Sequence, residues 1–253
     1  VVAPHLGAST VEAQDRAGVM IAEQVAAALA GEFVQFAVNV DIGKGLSDLV
    51  ASYLPVAEQL GRFFAAYAGG VGDTLEVEIA GAIAEHDTKA LGLSVLIGLF
   101  ARSTEEPVTF VNAPVIARDR GVEVRDVSTS RSVEYVNLVT LRGDVGGRRY
   151  TVSGTLSGPA RQPRIVGIDD HDIEIPPSPF MAVISNDDRP GVIGQVGTLL
   201  GGAEVNIANM AVGRHVSEPL ALMGVNVDHA VPADVQQRIR EAPGILDARF
   251  LEL

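Results

Sequence analysis

The chain has 253 residues, of which 47% are hydrophobic, and carries a formal net charge of −13. That length and apolar content allow two domains or one large one, while the acidic balance argues against nucleic acid as a partner, because phosphate binding needs a basic surface. There is no cysteine, which removes disulfides, thiolate zinc sites, iron–sulfur clusters and thiol nucleophiles together. No apolar run approaches the roughly 20 residues of a membrane-spanning helix, and no signal peptide is visible, so a cytoplasmic location without membrane contact is expected. The chain starts at Val1 without a methionine, inside what reads as a strand, as expected of a fragment whose N-terminal portion is missing.

Val1–Ala3 is a strand stub that Pro4 ends, and His5 to Ala8 is a turn. Ser9 and Glu12 have capping-box spacing, which starts a helix near Thr10. Ala17, Ile21, Val25 and Ala28 share one face of it, and Gly31 lies where a stop is expected. His5, between a strand end and a glycine turn, is either a general acid/base with a pKa near neutrality or a locally bonded turn residue. The run PHLGASTVEAQDRAG that contains it resembles the signature of the D-2-hydroxyacid dehydrogenases, and within them the D-3-phosphoglycerate dehydrogenases. The resemblance implies that His5 exchanges a proton with the substrate hydroxyl during hydride transfer to NAD. The family's catalytic arginine and glutamate and its dinucleotide fingerprint would lie upstream, so NAD would be bound mainly by a domain absent here. Residues 1–40 are then the end of the catalytic domains.

Gly43-Lys44-Gly45 lacks the flanking residues of a phosphate loop and reads as linker. Val50–Ala68 has apolar residues at helical spacing. Leu75, Val77 and Ile79 alternate with Glu76, Glu78 and Ala80, a half-buried strand. Asp87 can cap an apolar helix that runs to Ala101, and FVNAP at 110–114 leads into a short helix ending at Gly121. Val133–Leu141 and Tyr150–Leu156 flank Gly143–Gly147 as a hairpin. Arg164–Ile168 and Ile173–Ile175 flank an acidic turn as another, and Pro176–Pro179 is a stiff linker. FVNAP, the VSGT of 152–155 and RIVGIDDHDIEIPP at 164–177 resemble the intervening domain of the long-form D-3-phosphoglycerate dehydrogenases, placed at 41–176. That domain can bind an anion, for which Arg161 and Arg164 are the candidates. Asp169-Asp170-His171-Asp172 could evoke a metal, but neighbours in a strand point to opposite faces, and a solvated turn is the preferred reading. His86, His215 and His229 lack ligand spacing, and no metal is expected.

Residues 180–253 follow the order of a βαββαβ unit. Met181–Asn186 is a strand, and a helix is predicted to open at Pro190 with Asp188 as its cap. Val192, Ile193, Val196, Leu199 and Leu200 form one face, and Gly201-Gly202 is the stop. Val205 and Ile207 start a second strand, Pro219–Val227 alternates, Pro232–Ala242 is a short helix, and Leu246, Ala248 and Phe250 mark a last strand. Gly191, Gly194 and Gly197 do not match GxGxxG and are read as small residues for close helix–sheet packing. The run DDRPGVIGQVGTLLGGAEVNIANM resembles the first half of an ACT domain, an amino-acid-binding module.

The fold class expected is α/β in the broad α+β sense: a catalytic-domain remnant, a mixed intervening domain and a C-terminal ACT domain. The resemblance implies a NAD-dependent enzyme oxidising 3-phospho-D-glycerate in L-serine biosynthesis, inactive as this fragment alone. It implies L-serine as feedback effector between two chains of a homodimer or homotetramer, held at Asn186, Asp188 and Asn206. A bland reading leaves Asp188 as a cap and Asn206 as a turn residue. The alternative function is a stand-alone amino-acid-sensing module without catalysis. The L-serine dehydratases share such domains but need cysteines for their cluster.

Overall fold

The computed structural model describes residues 10–30, 33, 34, 37, 46–132, 134–215 and 217–253. His5 and Gly43-Lys44-Gly45 lie outside the described residues. Helix α1, Val11–Leu29, is capped by Thr10, whose Oγ1 accepts from the Ala13 amide at 3.2 Å. The cap is thus Thr10 rather than Ser9. This helix buries none of its residues.

Helix α2, Asp48–Ala68, starts where Ser47 Oγ accepts from the Val50 amide and stops at Gly69, whose φ of 75° is open to glycine without strain. Strand β1 is Thr74–Gly81, with Leu75, Val77 and Ile79 turned inward. After a 3₁₀ turn, α3, Lys89–Phe100, is apolar on all sides and buried on all sides. Asp87 Oδ1 accepts from the Lys89 amide at its start. Helices α2 and α3 cross closely. A Cβ on Gly61 would fall onto the Val95 carbonyl oxygen, and one on Gly98 onto that of Glu58. Helix α4 is Ala113–Asp119.

Strands β2 (Glu123–Thr129), β3 (Asn137–Val145), β4 (Arg148–Ser157), β5 (Gln162–Ile168) and β6 (His171–Ile175) complete the first sheet. Its order is β2-β1-β3-β4-β5-β6, with only the β1–β2 pair parallel. Gly143 lies inside β3 against the Phe64 ring, and the turn is made by Gly146 and Gly147, with φ of 60° and 81°.

The second sheet comprises β7 (Phe180–Asn186), β8 (Ile207–Arg214), β9 (Ala221–Val227) and β10 (Ile245–Glu252), in the order β10-β7-β9-β8. Helices α5 (Val192–Gly201) and α6 (Ala233–Arg240) cover one face. Ala182, Ile184, Met223, Val225 and Ala248 pack beneath them with Val196, Leu200, Val235 and Ile239. Alternate residues of the same strands (Met181, Val183, Leu222 and Leu251) point the other way and join the core of the first sheet and α2. Both faces of this sheet are therefore covered, and every residue of β9 is buried. Gly213 lies against the Asp172 carbonyl, and Gly224 sits under the ends of Ile173 and Ile175. These two glycines let β6 lie on the second sheet.

Helix α5 departs from expectation at both ends. It starts at Val192 after Gly191, not at Pro190, and no side chain caps it. At the other end Gly202 is right-handed and the left-handed residue is Glu204, with φ of 58°. Gly191, Gly194 and Gly197 meet nothing within 4 Å of a built Cβ, so they face open space and do not serve close packing. Among the described residues no helix is long and apolar enough to cross a membrane.

Candidate effector site

The second sheet ends in a polar corner at the start of α5. Asn186 closes β7, pairs with Ala221 of β9, and is 4% exposed. Its Nδ2 donates to the Ala221 carbonyl at 3.1 Å, and its Oδ1 accepts from the Asp188 amide at 3.1 Å. Both ends of this amide thus brace the turn that leaves β7, and its first duty is to position Asp188. Asp188 takes φ of 46°, a left-handed conformation that aspartate tolerates. Its carboxylate does not cap α5. Its Oδ2 pairs instead with Arg214 Nε at 3.0 Å. Arg189 turns outward to Asp187, whose hydrogen bond raises the pKa of the guanidinium.

Arg214 closes β8 opposite Ala221, so β9 brings it beside Asn186. Its side chain is 80% exposed and can turn toward a ligand. The corner thus offers a carboxylate, a guanidinium, and the N-terminal amides of α5, which no capping side chain occupies. An open helix N-terminus and an arginine favour a carboxylate, and Asp188 favours an ammonium. That set matches a zwitterion.

Asn206 is not in this corner. It precedes β8 at the far end of the sheet, where its Nδ2 donates to Asp228 Oδ2 at 2.9 Å and its carbonyl accepts from the Asp228 amide. The length of β8 separates it from Arg214, roughly 25 Å at the usual strand rise. Strand β8 is an outer strand of the sheet.

The anion candidates Arg161 and Arg164 flank the start of β5. Arg161 stands in the β4–β5 turn with φ of 49°. Arg164 lies on β5, donates to the Pro163 carbonyl and faces Glu174 at 3.9 Å. The acidic turn between β5 and β6 is only half solvated, contrary to expectation. Asp169 accepts from Tyr67 Oη at 2.7 Å, from Arg148 Nη2 at 2.9 Å and from the Thr151 amide at 3.0 Å. His171 is buried against the His215 ring, with centroids 5.1 Å apart. Burial, and then the neighbouring His215, hold its pKa below the usual value of 6.5. Among the described residues no group of three or more histidine or carboxylate side chains could hold a metal.

The described residues do not form a dinucleotide site either. A dinucleotide fold needs a parallel doubly wound sheet with a glycine-rich loop after its first strand. Here one strand pair is parallel, and Gly191, Gly194 and Gly197 follow an antiparallel strand.

Two family models match the chain: the D-3-phosphoglycerate dehydrogenase intervening domain over residues 49–169 and the ACT domain over residues 180–244. Proteins named D-3-phosphoglycerate dehydrogenase align along it. That of Mycobacterium tuberculosis is 41% identical over 254 residues, 100% of this chain and 47% of its own length. That of Mycobacterium leprae is 41% identical over 94% of this chain and 45% of its own length. That of Methanocaldococcus jannaschii is 33% identical over 99% of this chain and 47% of its own. The chain spans about half the length of the curated relatives it matches.

Proposed function

Since residues 49–169 belong to the D-3-phosphoglycerate dehydrogenase intervening-domain family and residues 180–244 to the ACT family, we propose that the chain is the regulatory portion of a NAD-dependent D-3-phosphoglycerate dehydrogenase and takes L-serine as its effector. The observation that carries the reading is the Asp188–Arg214 pair beside the uncapped start of α5. It presents one group for each end of an amino acid. Oxidation of 3-phospho-D-glycerate, with His5 as acid/base, belongs to the same proposal and to the whole parent enzyme.

Asn206 enters through a second copy. If two β8 strands pair antiparallel about a twofold axis, the Asn206 end of one faces the Arg214 end of the other. Strand β6 crosses β8 on its face at Gly213. Just past the Arg214 end of β8, His215 makes an isolated antiparallel bridge with His171 of β6; along β8 itself no strand of the sheet pairs with the outer edge among the described residues, and an open edge invites such pairing. The effector is then held between chains of a homodimer, or of a homotetramer built from it.

Calorimetry with L-serine, glycine and L-alanine tests the reading. L-serine is expected to bind saturably and selectively. Asp188→Ala, Arg214→Gln and Asn206→Ala should each weaken it about tenfold or more, the scale of a lost charge-assisted hydrogen bond. A folded dimer that shows no serine heat would overturn the effector assignment.

A further inference from the structure

A second concavity lies away from the effector corner, on the seam between the two sheets. It is a pocket of about 390 Å³ between the C-terminal halves of α2 and α3, the start of the α2–β1 loop, and the end of β10. That size is in the range of small-molecule sites. Its walls are mostly apolar, from residues such as Ala65, Ala66, Leu99 and Phe100. Its rim is not. Arg62, Arg102 and Arg120 all line it, in a chain of net charge −13, and Glu252 is the one acidic residue among the lining groups.

The three arginines are held differently. Arg62 is bound along its own helix to Glu58 at 2.7 Å. Arg120 clamps the turn after α3, donating to Ser103 Oγ and to the Ser103 carbonyl, each at 2.6 Å, with its guanidinium over the Phe100 ring. Arg102 is the exchangeable one. Its Nη2 meets Glu252 Oε2 at 2.9 Å, and both side chains are more than half exposed. A half-exposed ion pair contributes little to stability, and a guanidinium has five donors. An incoming carboxylate therefore displaces Glu252 at small cost.

We infer that this pocket is a binding site for small apolar carboxylates, whose hydrocarbon body fills the space beside Ala66 and Phe100 while the carboxylate replaces Glu252 on Arg102. Three guanidiniums on an apolar wall complement an anion with a hydrophobic body. They do not suit a free amino acid, whose ammonium would have only Glu252. The pocket also has a direct structural line to the effector corner. Strand β10 reaches the pocket with Glu252 and pairs at its other end, through Ile245, with Asn186.

The test is titration of the full chain with 4-phenylbutyrate, read by calorimetry and by chemical-shift changes. The neutral 4-phenylbutyramide and inorganic phosphate serve as controls. The acid is expected to bind saturably at one site per chain, the amide and phosphate at least about tenfold more weakly. Arg102→Gln should weaken the acid about tenfold. Glu252→Gln should strengthen it by removing the internal competitor, a change of opposite sign that general loosening of the fold does not produce. Ala66→Phe, which fills the pocket, should abolish binding; if it fails to fold, the Arg102 and Glu252 pair decides. No saturable binding by the unaltered chain, or binding indifferent to both exposed substitutions, overturns the inference.

Discussion

Asp169 carries more of the middle domain than its place in an acidic turn implies. One carboxylate serves a phenol, a guanidinium and a backbone amide at once, and these groups lie next to Arg249, which reaches from β10 to the Tyr67 carbonyl and to Tyr150 Oη. Burial first, and then Asp169, push the Tyr67 phenol far above its usual pKa, so it remains a donor. Asp169→Ala leaves those donors unmatched and should cost about 2–4 kcal/mol in urea unfolding. His171 gives a pH prediction. Its folded pKa is depressed, so the unfolded chain binds the proton more readily. Its contribution to stability is complete above about pH 6.5 and is lost as pH falls through that value toward the folded pKa. Thermal melts should show the midpoint dropping as pH falls below about 6.5, with a shallower drop in His171→Gln.

Glycines placed at the seam separate two kinds of crowding. A Cβ at Gly213 would meet backbone, the Asp172 carbonyl, whereas a Cβ at Gly224 would meet only the ends of Ile173 and Ile175, at 3.1 Å. Side-chain ends can move and a paired strand cannot. Gly213→Ala should therefore cost more than about 2 kcal/mol and Gly224→Ala about 1 kcal/mol or less. Alternation in the sequence showed β1 because it buries one clear face; β7, buried on both faces, was legible from its apolar residues instead. Alternation did not show β2, whose seven residues are mostly exposed and include the charged Glu123, Arg125 and Asp126; its partner is the distant β1, which no local pattern reveals. Gly143 looked like part of a turn, yet it sits inside β3 because the Phe64 ring occupies the space of its side chain. At the polar corner before α5, the resemblance singled out Asn186 and Asp188. Arg214 was not singled out, since it reaches Asp188 only through the pairing of β8 and β7 with β9.

The two sheets share apolar core across their seam, where Met181, Val183, Leu222 and Leu251 pack with the α2 side of the molecule. Separate domains with a polar interface would melt apart. Here denaturation followed at Tyr150 of the first sheet and Phe250 of the second is expected to coincide in one transition. Residues 177–253 alone would expose that apolar face and should self-associate in sedimentation. Two resolved transitions, with a soluble monomeric C-terminal piece, would contradict the shared core.

The crossing of α2 and α3 limits how the molecule can move. The carbonyls of Glu58 and Val95 occupy the places of absent side chains on the opposite helix, so sliding by one turn would drive a Cβ into backbone. The helix pair behaves as a single rigid lever. Helix α2 ends at Gly69 and Gly70, whose φ values of 75° and 151° only glycine takes up readily, so this link is where the helix pair can hinge against β1. Gly70→Ala would strain that hinge, while β10 would still tie Glu252 to Asn186.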